Sequence, residues 1–144
     1  MKKYIVNVLA AILLSSAAYA AEKVEAGPRG GRLLETEGPR PEFFVEKDRT
    51  VSIAFYDANQ KKVPAGAQTV TAIAEVKSGR EKLEFEIKGD LLVSKSPLPE
   101  GNGYTVVVQY RPTAGARPKN FRVPLNLETC GGCDRAEYAC TCHE

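Results

Sequence analysis

All four cysteines and the single histidine of this 144-residue chain fall within its last fifteen positions. They read Cys130-Gly131-Gly132-Cys133, a six-residue gap, then Cys140-Thr141-Cys142-His143. Cysteines that act only as small buried hydrophobes scatter through a core, so a cluster this dense points to a metal-binding knot or a disulfide knot. As a metal site, the CxxC turn sets two thiolates on one side of an ion, and Gly131 and Gly132 let the loop close without steric cost. Cys140 and Cys142 then complete a tetrahedral sulfur set suited to Zn(II), or a thiolate cluster suited to Cu(I), with His143 as an extra or replacement ligand. Two features oppose this reading. The gap between the pairs is shorter than the about 12 to 20 residues usual in ribbons and fingers, and CxC closes on one ion less readily than CxxC.

The disulfide alternative uses the same four residues. Exported thiols are normally oxidised, and an even number of them can pair fully. Nested bridges Cys130–Cys142 and Cys133–Cys140 would staple a hairpin, although the sequence leaves the connectivity open. Redox exchange by Cys130 and Cys133 is disfavoured, because reactive CxxC motifs open a helix in a βαβ context that this chain lacks. A c-type haem needs CxxCH, whereas Cys133 is followed by Asp134.

Export itself is read from the other end of the chain. Lys2 and Lys3 form a basic start, the stretch from Tyr4 to Leu14 is apolar, and Ala18-Tyr19-Ala20 is a small-x-small cleavage site. Residues 1–20 are therefore expected to be a signal peptide, giving a soluble periplasmic protein that does not span the membrane. Losing Lys2 and Lys3 leaves 18 basic against 18 acidic residues, so the mature chain has no global field to attract nucleic acid. The local basic residues Arg111, Arg117, Lys119 and Arg122 are read as solvated loop charges. The remaining 124 residues suffice for one domain with its own core, which weakens the need for staples.

The elements that must position the tail are strands. Leu83, Phe85 and Ile87 alternate with Lys82, Glu84, Glu86 and Lys88, as a strand with one buried face requires. Val51, Ile53 and Phe55 follow the same rule, as do Tyr104 to Tyr110 and Phe121 to Leu127. Further strands are expected at 32–35, 42–46, 69–77 and 91–95, with hairpin links at Ser78-Gly79-Arg80 and Gly89-Asp90. Pro124 assigns the last strand to an edge or a bulge. Tyr104, entering a Val-rich strand after Pro99-Glu100-Gly101-Asn102-Gly103, has the placement of a tyrosine corner. The fold class is thus all-β, an antiparallel immunoglobulin-like β-sandwich of about seven or eight strands. Its expected organisation is a signal peptide (1–20), a flexible leader (21–31), the sandwich (32–127) and a Cys-rich tail (128–144).

Catalysis is not expected. The sole histidine lies at the end of the tail, the acidic residues alternate along strands toward solvent, and Gly30-Gly31-Arg32 lacks the remainder of a phosphate loop.

The run Gly27-Pro28-Arg29-Gly30-Gly31-Arg32-Leu33-Leu34-Glu35, with Pro41-Glu42-Phe43-Phe44-Val45 and Val51-Ser52-Ile53-Ala54-Phe55-Tyr56-Asp57, resembles small exported β-sandwich modules. Such modules occur alone or at the N-terminus of periplasmic adaptors of heavy-metal efflux pumps. The resemblance covers residues 27–63 and implies a non-catalytic role beside transition-metal handling, with an envelope or efflux protein as partner. Such modules often carry histidine before the Gly-Gly pair, where this chain has Arg29. Metal binding would then rest with Cys130, Cys133, Cys140, Cys142 and His143, taking zinc or copper(I). The alternative is a disulfide-stapled structural or interaction module of the envelope, without metal.

Overall fold

A computed structural model describes residues 23–142; the expected signal peptide and His143 lie outside the described residues. Alternation of apolar and polar side chains builds two antiparallel sheets that bury their facing surfaces. The smaller sheet comprises β6 (Thr69–Val76), β7 (Gly79–Leu83), β10 (Tyr104–Arg111) and β11 (Lys119–Leu125), in the order β11-β10-β6-β7. In its register Val108 stands between Ala72 and Phe121, and Val106 between Ala74 and Val123. All six are buried, so one face of three strands forms half of the core.

The larger sheet has the order β1-β2-β3-β4-β9-β8. Its strands are β1 (Glu25–Ala26), β2 (Arg32–Leu33), β3 (Arg40–Val45), β4 (Val51–Tyr56), β8 (Phe85–Lys88) and β9 (Leu91–Ser94). The short β5 (Lys62–Val63) also pairs with β4. Every residue of β4 is buried. Val51, Ile53 and Phe55 join the inter-sheet core, while Ala54 and Tyr56 pack with Leu33 in a second small cluster. The chain before β3 therefore covers the back of β4, and Glu25–Ala26, assigned to the leader by composition, is hydrogen-bonded to β2.

Two features read from sequence take the expected form. Pro124 lies in β11, an edge strand that pairs only with β10 in its sheet. The Tyr104 hydroxyl donates to the Pro99 carbonyl at 2.7 Å, which makes the tyrosine corner, and the Arg49 guanidinium bonds the carbonyls of Leu98, Pro99 and Gly101 in the same loop. The basic residues read as loop charges are placed differently: Arg111 ends β10 and donates to the Ala116 carbonyl, and Lys119 and Arg122 lie in β11, where Arg122 donates to the Glu75 carboxylate.

One segment differs. The alternation over residues 82–88 suggests a single strand, but the chain changes sheets at Glu84, leaving β7 for β8. The Lys95 N–H donates to the Glu84 carbonyl at the crossing. Alternation survives on either side while the buried face does not, so Leu83 is buried and Ile87 is 56% exposed. The turns flanking the pair, Val76 to Gly79 and Lys88 to Leu91, are the short hairpins expected.

Candidate metal or disulfide centre

Beyond β11 the tail does not leave the domain. The N–H of Tyr138 donates to the Asn126 carbonyl and that of Glu137 to the Glu128 carbonyl, folding residues 128–138 back on themselves. A bridge between Thr129 and Ala136 closes this loop. A single 3-10 turn, Glu137–Ala139, then drives Tyr138 and Ala139 into the main core. The Tyr138 ring meets Phe43 edge-on at 5.8 Å, and its hydroxyl accepts the Val45 N–H at 3.0 Å. The hydroxyl thus satisfies an amide of β3, while burial pushes its own pKa upward.

This docking fixes the cysteines. Cys130 and Cys140 are buried, Cys133 is half-buried and Cys142 is exposed. The Cys130 N–H donates to the Arg135 carbonyl at 2.8 Å, and the Cys140 N–H to the Glu137 carbonyl at 3.1 Å. The four Sγ atoms all lie within 4.8 Å of one another. Within the set, Cys130 and Cys140 form a disulfide, with Cα atoms 6.2 Å apart, and Cys133 and Cys142 are free. The nested pairing drawn from sequence is therefore not the one formed. Burial of Tyr138 and Ala139 in the core holds the adjoining Cys140, rather than Cys142, opposite Cys130.

The two free sulfurs sit in contrasting environments. Cys133 Sγ lies 3.8 Å from Cys140 Sγ. Four sulfurs placed about 2.3 Å from a tetrahedral zinc ion stand about 3.8 Å apart. The Arg135 N–H, two residues on, bonds the Cys133 sulfur and holds its thiol below the ordinary 9.0, with the Cys142 thiol, the Arg135 side chain and the Thr141 N–H acting in the same direction. Cys142 moves upward, because it shares a hydrogen bond with Cys133 and faces that residue's charge. The Cys142 N–H in turn donates to the Cys140 sulfur at 3.4 Å. Amide donors aimed at sulfur favour its charged form, which is the form that binds metal.

The two glycines of the CxxC turn play different parts. Neither takes a left-handed φ. A Cβ on Gly132 would lie 3.0 Å from Cys142 Cβ and 3.1 Å from its Sγ, whereas one on Gly131 would meet nothing within 4 Å. Gly132 is thus favoured by the close approach of Cys142.

A groove of about 660 Å³ beside the knot is lined by Arg29, Phe44, Lys47, Asp134, Arg135 and Tyr138, among others. Arg29 stacks on Phe44 at 4.5 Å and bonds Glu46 at 2.8 Å and Ser52 at 2.7 Å. Its loop is anchored by the fully buried Glu42, whose carboxylate accepts the N–H groups of Arg29 and Gly31. Burial and the same carboxylate push Tyr56 up to about 12. The sequence suggested neither this anchor nor the role of Tyr138. A lone aromatic residue between two cysteine pairs was the available sign of the latter.

No family model, curated protein or solved structure matches this chain. Among the described residues, no helix is long and apolar enough to cross a membrane.

Proposed function

We propose that this is an exported, non-enzymatic metal-handling protein that binds one soft transition ion, Zn(II) or Cu(I), through Cys130, Cys133, Cys140 and Cys142. His143 adds a donor next to the last of them. The convergence of four sulfurs within 4.8 Å carries this reading. Amide donors to Cys133 and Cys140 support it, since a thiolate gains more from them than a disulfide sulfur does. The Arg135 guanidinium offsets part of the negative charge that four thiolates bring to a divalent ion. The likeness of residues 27–63 to modules of heavy-metal efflux adaptors supports a periplasmic role beside an envelope partner.

The second reading is a disulfide-stapled structural module, favoured by the Cys130–Cys140 bond. The two states exclude each other at those sulfurs, because a disulfide carries no thiolate to donate. Substituting Cys133→Ser separates them. Under the metal reading this variant loses stoichiometric Zn(II) binding while the sandwich stays folded. Under the staple reading the sensitive change is Cys130→Ser, which costs about 2–5 kcal/mol of stability whether or not a chelator is present.

A further inference from the structure

We propose that the knot is a transfer site that passes its ion to a protein dithiol through Cys142 and Cys133, with Cys130 and Cys140 as the fixed half of the cage. This rests on the thiolate reading above. Structural zinc sites are closed, with every ligand shielded from attack. Here the ligands divide into an inner and an outer pair. Cys130 and Cys140 are only 3% and 6% exposed, and the second follows the fully buried Ala139. Both have their backbone N–H groups tied to carbonyls of the tail. Cys142, by contrast, is exposed, and Cys133 is half-buried beside it.

The approach to the outer pair is open as well. Gly131 and Gly132 are exposed and present no side chain on that side, and the space beyond Gly131 is empty to 4 Å from where a Cβ would stand. An incoming sulfur can therefore reach the ion without displacing packed structure. In the first exchange the acceptor thiol gives up its proton, its thiolate bonds the ion, and the Cys142–ion bond breaks. Cys142 takes up a proton, so charge is conserved. A second acceptor thiol replaces Cys133 in the same way. Cys130 and Cys140 then release the ion and are protonated in turn, and no atom changes oxidation state.

The test uses the mature chain, reduced and loaded with Zn(II) under anaerobic conditions, and a synthetic peptide bearing a Cys-x-x-Cys dithiol as acceptor. Transfer should accelerate in proportion to peptide concentration, because the acceptor takes part in the exchange. N-ethylmaleimide on the loaded protein should label Cys142 and Cys133 on the order of tenfold faster than Cys130 and Cys140. Transfer independent of peptide concentration, or uniform labelling of the four cysteines, overturns the proposal while leaving a closed metal site standing. Failure of the intact reduced chain to take up Zn(II) instead removes the thiolate reading on which the proposal rests.

Discussion

The sandwich and its tail are held by different forces, and the contrast explains why one chain contains both. In the sandwich, strands far apart in sequence are locked by register, and residues such as Ile53, Phe55, Val106 and Val108 are wholly withdrawn from water. Among the described residues of the tail, Tyr138 and Ala139 join the main apolar core and Ala136 packs against it. The remaining order comes from a few backbone hydrogen bonds and from the sulfurs. Apolar burial is indifferent to metal and redox state, whereas thiolates respond to both. A sandwich held by apolar burial leaves the cysteines free to change partners.

The largest expected effect tests that independence from the sandwich side. Phe55 is fully buried against Tyr110, with ring centroids 6.0 Å apart. Replacing Phe55→Ala should cost about 3–5 kcal/mol in denaturant unfolding, equally with Zn(II) and with a chelator. A cost that depended on metal would mean that the two regions share one stability.

A smaller change probes the joint between them. Tyr138→Phe keeps the ring on Phe43 and removes the acceptor for the Val45 N–H. The expected loss is about 1–2 kcal/mol, with weaker Zn(II) binding because Cys140 follows two residues later. An unchanged metal affinity would show that the knot organises itself without the dock. The smallest effect belongs to Gly132→Ala, where Cys142 must shift by a few tenths of an ångström to admit the methyl group. Zn(II) affinity should fall by up to about tenfold with unfolding of the sandwich unaltered, as read by competition with a chromophoric chelator.

How legible each region was follows from the same contrast. Strand alternation is a local signal, so the sheets, the edge position of Pro124 and the corner at Tyr104 could be read directly. The change of sheet at Glu84 could not, because alternation continues through it and only tertiary placement exposes Ile87. In the tail, the spacing of the cysteines announced a cluster but not its pairing. The partner of Cys130 depends on where Tyr138 is buried, and that depends on Phe43 and Val45, more than ninety residues earlier in the chain. The anchoring of the Arg29 loop by Glu42 was hidden for a related reason: a buried acid and a solvent-facing one look alike in an alternating strand.

Native mass spectrometry of the protein isolated from the cell envelope without reductant or chelator tests the central claim most directly. The account predicts the mass of the mature chain with four reduced cysteines plus one Zn(II) or Cu(I), lost together with that ion on acidification. One or two intact disulfides and no bound metal would contradict it and leave the tail a staple.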